Sequence, residues 1–600
     1  MLFSSALCGQ EKEYTSHEIK ISTGKSKARP DSGSIRDLGS VTGLYLRAPG
    51  PVSSAGLSIR GAAPAHTEVS WHGIPLASPL IAQADVSLIS PLMLRRARLR
   101  EGGPSETGFC SAFGGSLLLG DSGGETTNRA EAGLAAGSFG QMEQWLEAGG
   151  EMKSVSGKMR CWNSTGKWNY PIRIGNFSTR MNHQERQFAG LEASGELNAG
   201  KQHKFDAGLW IQQSERQLPG MLLEENPGAS QDDRNQRVYL RHRMQLGQHS
   251  FRQLIGVSRD ELHFQDFKSR TDSKARSEGF YYRADAQLNA GGILYFLRGH
   301  FSRQAAVSGQ SNSRHLLDRQ GAGISAEIRF LKDKLLLRPG LNLENAAFPG
   351  SGRSDFFLLP AASLEWYLGW GQVFSLNWQG HGRNPGLNDL FWPGSGNPLL
   401  RAERGFTQTM NWKSVFVQSS AIRLTASASC FFTRISDYIL WLPEAAQWKP
   451  QNAGRAEIRG LSLKSSAAYA PAGRWKFGLL ADIQLSRQQL QNEISGQKEI
   501  KKMPFQPEFQ ACLQLSAEVS GFSVSLRQMH QGERLTGFGV QEHLKAFQTS
   551  DLSAEWQKNI HRVRLKIFAE ALNIFHTSYY LLPAFPMPGR NFKAGISLQI

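Results

Sequence analysis

The feature that most constrains this chain is an alternation of apolar and polar residues, with a period of two, sustained for about ten residues at a time. Trp475, Phe477, Leu479, Ala481, Ile483 and Leu485 fall on one side of an extended segment, with Lys476, Gly478, Asp482 and Gln484 on the other. Ile422, Leu424, Ala426, Ala428, Cys430 and Phe432 alternate with Arg423, Thr425, Ser427 and Ser429. Val563, Leu565, Ile567, Ala569 and Ala571 alternate with Arg562, Arg564, Lys566 and Glu570. Successive side chains of a strand point to opposite faces, so each segment has one greasy face and one wet face. Soluble sandwiches use strands of roughly five or six residues, whereas about ten is what a tilted strand needs to cross a bilayer. The texture starts near residue 125 and continues to the C-terminus.

A helical membrane protein is excluded, because no run approaches the roughly 18–20 uninterrupted apolar residues that a spanning helix needs. The most apolar window, Phe356 to Trp370, is broken by Pro360, Glu365 and Gly369. The mean hydropathy of -0.38 suits a soluble protein, yet a barrel averages its two faces to the same mild value. Roughly 475 residues shared among 22 strands leave about 22 for each strand and half its loops, a comfortable size. The expected fold is therefore an all-β transmembrane barrel of about 22 antiparallel strands. Trp366, Trp370, Trp378, Tyr438, Trp441, Tyr579 and Tyr580 stand towards strand ends, where interfacial aromatics belong.

A lumen of that width is too large for side chains to fill and needs a plug. Residues 31–124 fit that role: short β-like pieces of mixed α/β character are punctuated by Gly61, Gly73, Gly102, Gly103, Gly114 and Gly115. Residues 1–30 read as a polar arm, with Met1 to Cys8 resembling the end of an export signal. The expected division is thus arm 1–30, plug domain in the lumen 31–124, and barrel 125–600.

The formal charge of +17 would ordinarily raise nucleic acid as a partner. The basic residues, however, come one or two at a time at alternate strand positions, so they read as a polar lumen and charged loops, or as a mouth that attracts anions. Nucleic acid is not expected. Cys8, Cys110, Cys161, Cys430 and Cys512 lie far apart without metal spacing, and no disulfide framework is indicated. Cys430 falls on the apolar side of its strand. No GxSxG, P-loop or HExxH motif stands in a suitable context, so neither an enzyme nor a cofactor is expected, and no metal ligand set can be named.

The motifs resemble those of the TonB-dependent outer-membrane receptor family, over nearly the whole chain. Gly56-Leu-Ser-Ile-Arg60-Gly61, Val69-Ser-Trp-His72-Gly73-Ile-Pro75, Arg98-Leu-Arg-Glu101-Gly-Gly-Pro104 and Ser111-Ala-Phe-Gly114-Gly115 are similar, in order and spacing, to the family's plug pattern. His72 departs from it, since the family usually has Asp there. In the barrel, Arg383-Asn-Pro385 to Trp392, Gly396-Asn397-Pro398 to Glu403, and Asn573 to Phe592 with Pro588-Gly589-Arg590 resemble the family's strand-loop-strand unit and closing hairpin. The chain ends in Ile600 where such barrels commonly end in an aromatic.

The resemblance implies a receptor in the cell outer membrane of a Gram-negative bacterium, surrounded by lipid, which binds a scarce nutrient and imports it. It implies that Glu18, Ile19, Lys20, Ile21, Ser22 and Thr23 form a TonB box, an extended strand that offers its edge to the periplasmic energy-coupling protein TonB. Arg60, Glu101 and Glu403 become the candidate plug–barrel anchor, with Arg60 forked onto Glu403. Arg383, Trp392, Trp441 and Trp448 become candidate ligand-binding residues. Tyr438 to Asn452 and Leu218-Pro219-Gly220 with Gln231 to Arg234 resemble cobalamin-type receptors, which favours a corrinoid. A ferric siderophore is the alternative, suited to a basic mouth; haem fits less well, because no His lies between Pro385 and Pro398. A surface lipoprotein is a possible further partner. A passive porin-like or adhesin-like barrel would lack the plug motifs and the arm.

Overall fold

In the computed structural model the described residues are 18–20, 43–102, 111–120 and 128–600, apart from residue 96 and short stretches at 175, 223, 225–226, 310–312, 445–446, 472, 493–498 and 538–541. The alternating segments fold into one closed antiparallel barrel of 22 spanning strands. Neighbours in sequence are neighbours in space all the way round. The last strand, Asn591–Gln599, closes the ring against the first, Arg129–Gly137, with Lys593 opposite Gly137 and Gln599 opposite Glu131.

The two mouths differ. At one, strands are joined by tight turns, such as Met152 to Val155, Leu246 to His249 and Ala290 to Ile293. At the other, long connections run from Arg383 to Glu403, Ser436 to Arg455, Asn492 to Phe509 and Leu572 to Asn591. Short turns on the periplasmic side and long loops outside are the rule for such barrels. Strands near the closure have 9 residues, whereas Thr271–Ala290 has 20, so the wall opposite the closure stands well above what a bilayer requires.

The alternation in sequence becomes an alternation of environment. Along Trp475–Asn492, Asp482, Gln484 and Ser486 are buried in the lumen while Ile483 and Leu485 face outward. Cys430 also faces outward among apolar neighbours. No helix of the described residues is long and apolar enough to cross a membrane. The lumen cations are paired with acids on the wall: Arg160 with Glu147 and Glu192, Arg338 with Glu327 and Glu365. Four of the expected interfacial aromatics lie elsewhere: Trp441 and Tyr580 belong to the outer loops, and Tyr438 and Tyr579 are buried beneath them.

Inside the barrel sits a small mixed sheet. Its strands are β1 (Glu18–Lys20), β4 (Thr67–Trp71), β5 (Ile74–Pro75), β6 (Arg98–Arg100) and β7 (Gly115–Leu119), in the order β1-β6-β7-β4-β5. A hairpin of β2 (Leu44–Arg47) and β3 (Gly56–Ile59) packs beside it. Helical structure here is slight, limited among the described residues to Pro91–Leu94 and two single turns. The apolar core of the unit, including Leu57, Ile59, Val69, Leu99, Leu117 and Leu119, continues onto the wall through Trp210, Tyr239 and Tyr281. Trp71 meets Trp210 and Tyr239 edge-on. Gly61, at φ +80°, is favoured by its left-handed turn, and a Cβ there would also displace the Gln488 side chain of the wall.

Candidate functional site

The outer mouth is roofed by two loops that hold each other. The first carries a short helix, Leu387–Phe391, whose N-terminus is capped when Gly386 N–H donates to Asp389 Oδ2 at 2.8 Å. The second is a hairpin of Ile439–Glu444 and Gln447–Asn452. Trp441 Nε1–H donates to Asp389 Oδ1 at 2.8 Å, Asn397 Nδ2 to the Pro450 carbonyl at 3.1 Å, and Arg401 N–H to Asn452 Oδ1 at 2.9 Å. The helix also reaches down to the plug, with Leu387 N–H and Asn388 N–H donating to the carbonyls of Pro79 and Leu80 at 2.9 and 2.8 Å.

This geometry sorts the expected ligand-binding residues. Trp448, at the hairpin tip, is 61% exposed. Trp392, at the end of the helix, is half-buried. Trp441 is tied to Asp389. Arg383 does not face the mouth as a free cation: it is buried in an ion pair with Glu403.

Among the described residues, the charged joints between plug and wall include the following four. At the first, Arg60 Nη2 lies 2.9 Å from Glu101 Oε2, and Lys464 of the wall lies 2.7 Å from Glu101 Oε1. Arg60 also donates to Ser429 Oγ at 2.8 Å, and its guanidinium stands over the Phe431 ring. Burial pushes the Glu101 carboxyl up, but Lys464 and Arg60 outweigh it and hold it at about 2. At the second, Glu403 Oε2 takes His66 Nε2–H of the plug at 2.7 Å together with Arg383 Nε, and Oε1 takes the N–H of Ile439 at 2.7 Å. At the third, Arg216 of the wall bridges Asp85 of the plug and Asp233, at 2.7 and 2.9 Å. Burial raises the Asp85 carboxyl, yet Arg216 and the N–H of Ala55 bring it below its ordinary value. At the fourth, Arg95 lies 3.4 Å from Glu147.

One expectation is corrected here. Arg60 pairs with Glu101, not with Glu403. Its wall contact, Thr409, stands six residues further along the strand Glu403–Gln418. At ~3.4 Å per residue that places it about 20 Å from Glu403, beyond the reach of any arginine. Spacing in sequence conveys nothing about which level of the lumen a plug turn will occupy. His66, Lys464 and Asp85 escaped the sequence reading. Only Asp85 carried a local signal, since it accepts from Ser87 N–H two residues on, as turn-forming Asp does.

The arm is placed in part. Glu18–Lys20 lies antiparallel on the free edge of β6, with Glu18 opposite Arg100, Ile19 opposite Leu99 and Lys20 opposite Arg98. Ile21, Ser22 and Thr23 lie outside the described residues.

Comparison with known proteins decides the family. Residues 138–574 match the model of the TonB dependent receptor-like β-barrel. This chain belongs to the TonB-dependent receptor family. It is accordingly an outer-membrane β-barrel of a Gram-negative bacterium. Among solved structures, the receptor resembles the copper transporter OprC with a TM-score of 0.79 and 16% identity, over 97% of this chain and 98% of that one. It resembles the FrpB iron transporter of Neisseria meningitidis with a TM-score of 0.78 and 14% identity, over 97% and 100%. At such identities the likeness is one of fold. A local stretch of 83 residues is 32% identical to the vitamin B12 transporter BtuB of Vibrio vulnificus, spanning 14% of this chain and 13% of that protein.

Proposed function

We propose that this receptor is an active importer that captures a corrinoid at its outer loops and passes it to the periplasm. In this reading residues 1–30 are the arm, 31–124 the plug domain and 125–600 the barrel. Glu18 to Thr23 form the segment that TonB takes up, by adding its own strand to an exposed edge. The observation that carries the corrinoid is the 32% identical stretch shared with a vitamin B12 transporter. The hairpin's aromatic tip, Trp448, offers an exposed ring face against which a bulky macrocycle can pack.

A ferric chelate is the second reading, favoured by the +17 charge, because anionic iron complexes are drawn to a basic mouth. Growth of a deletion strain tests the two. Loss of growth on limiting cobalamin, with normal growth on limiting iron, supports the corrinoid. The reverse pattern replaces it with the chelate. Loss of residues 17–23 should abolish uptake and spare binding, because capture and energy coupling sit at opposite ends of the lumen.

A further inference from the structure

The outward face of the wall carries its charges differently in two sectors. On the tall side, cations and acids face each other across neighbouring strands. Arg234 stands opposite Glu261, Glu261 opposite Arg276, and Arg259 opposite Glu278. Arg303 stands opposite Asp318, 2.6 Å away. Opposite charges at facing positions attract, so this surface is matched within itself.

Four consecutive strands further round, Glu403–Gln418, Ile422–Ser436, Arg455–Tyr469 and Trp475–Asn492, break that pattern. Near their outer ends they turn Arg404, Arg434, Arg459 and Arg487 away from the lumen, each beside a residue that is buried within it: Glu403, Thr433, Ile458 and Gln488. Arg459 stands directly opposite Arg487. In such a pair the Cβ atoms are about 4.5–5.5 Å apart, and like charges weaken the ladder. Among the described residues the four arginines share one carboxylate, Glu457, which is 2.9 Å from Arg434 and 3.6 Å from Arg459. Arg404 and Arg487 are exposed and have no ion pair there.

Their height in the wall says what they face. Below Arg487 the outward positions read Leu485, Ile483, Ala481, Leu479, Phe477 and Trp475, ending at the inner turn. From Trp475 to Leu485 is ten residues. At ~3.3 Å per residue and a tilt of about 40° that is a rise of roughly 25 Å, the height of the apolar band of such barrels. Arg487 is the next outward position, level with the headgroups of the outer leaflet. Just beneath the cluster the rings of Phe406 and Phe432 lie 5.9 Å apart, with the Arg434 guanidinium 5.9 and 5.6 Å from them. Guanidinium forks match phosphate oxygens, and an anion between two facing arginines turns their repulsion into attraction.

We propose that Arg404, Arg434, Arg459 and Arg487 form a site for the phosphate of an outer-leaflet lipid headgroup, held between the facing pair Arg459 and Arg487, with the lipid chains against Phe406 and Phe432. A surface with matched charges, as on the tall side, offers no such excess.

Full-length receptor stripped of lipid in a non-ionic detergent tests it, with native mass spectrometry reading the binding of bisphosphorylated lipid A and of the same lipid with its phosphates removed. Arg459→Gln with Arg487→Gln should weaken binding of the phosphorylated lipid by about tenfold or more. Arg259→Gln with Arg303→Gln, in the matched sector, should leave it unchanged. The lipid without phosphates should bind wild type as weakly as it binds the first variant. Equal binding by the two double variants, or binding that survives removal of the phosphates, overturns the proposal. Displacement of the lipid by an equal concentration of inorganic phosphate overturns it too, in favour of a site for the free anion. Heat-modifiability gels separate this role from a structural one. Without lipid the Arg459→Gln, Arg487→Gln receptor should resist heat at least as well as wild type, because a repulsion is gone, and added lipid A should raise the transition of wild type alone. A variant that unfolds at a lower temperature without lipid overturns the proposal. Should the double variant fail to assemble, Arg487→Gln, which has no ion pair to lose, decides by the same measurements.

Discussion

Glu101 and Glu403 are both buried carboxylates on the seam between plug and wall, yet they belong to different bodies. Glu101 is a plug residue, and its arginine partner, Arg60, is a plug residue too; only Lys464 reaches it from the wall. Glu403 is a wall residue, and its arginine partner, Arg383, belongs to the wall as well; only His66 reaches it from the plug. At each joint the guanidinium–carboxylate pair is thus internal to one body. The ionic contact that crosses the seam is a single lysine at one and a single imidazole at the other, beside the neutral contacts of Arg60 with Ser429, Thr409 and Phe431. The difference between owner and visitor sets what any displacement of the plug within the barrel would cost. Pulling apart a buried arginine–carboxylate pair strands two charges, at a cost of several kcal/mol. Here the plug can leave with Glu101 still neutralised by Arg60, while Glu403 stays neutralised by Arg383. At these two joints only the weaker ties need to break, whereas Arg216–Asp85 and Arg95–Glu147 are guanidinium–carboxylate pairs that do cross the seam.

If that comparison is right, the most damaging single change is the one that strands a wall arginine. Glu403→Ala leaves Arg383, a buried guanidinium, without its ion-pair partner and should destabilise the barrel by roughly 3–5 kcal/mol. A fall in the temperature at which the folded band gives way to the unfolded one on heat-modifiability gels would record it. A loss below about 1 kcal/mol would mean that Arg383 finds another partner, and that the pair is less self-contained than its geometry indicates.

The other joint sharpens the contrast through pH. Glu101 is held at about 2, below its ordinary 4.5. A carboxyl depressed on folding contributes stability that is complete above its unfolded value and disappears as pH falls through its folded value. For Glu101 that contribution is about 3 kcal/mol at neutral pH. The stability gap between the wild type and Glu101→Gln should therefore be flat from pH 7 to 5 and close between about 4.5 and 2. Chemical denaturation of both proteins across that range measures it. A gap that closes between pH 7 and 5 would show that Lys464 and Arg60 do not hold the carboxylate as described.

How much of this was legible in the sequence follows from which interactions are periodic. The wall was legible because a strand between lipid and lumen repeats one instruction every two residues, as Asp482, Ile483, Gln484 and Leu485 do, and the instruction survives any change of loop. The plug segment was legible through its turn glycines, of which Gly61 is fixed by its left-handed backbone. The joints were not. Arg60, Glu101 and Glu403 could be picked out as charges in suggestive places, but pairing depends on the height at which the plug sits in the lumen. No local pattern encodes that height. His66 was passed over for the same reason: one histidine ahead of a short strand has no periodicity to mark it.

The Arg60 cycle carries the smallest expected effect and most directly separates the two joints. Arg60→Ala, Glu101→Ala and the double variant should show a coupling of roughly 0.5–3 kcal/mol, since each single change leaves a buried partner behind. The figure should fall short of what a bare pair would give. Arg60 keeps Ser429, Thr409 and the Phe431 face when Glu101 is gone, and Lys464 keeps some solvent. Arg60→Ala combined with Glu403→Ala should instead add to within about 0.3–0.5 kcal/mol, because the two residues share no partner and sit at different levels of the lumen. Urea titrations of the three single and two double variants against wild type supply both cycles. Coupling between Arg60 and Glu403 as large as that between Arg60 and Glu101 would merge the two joints into one network and remove the distinction between carboxylates owned by the plug and by the wall.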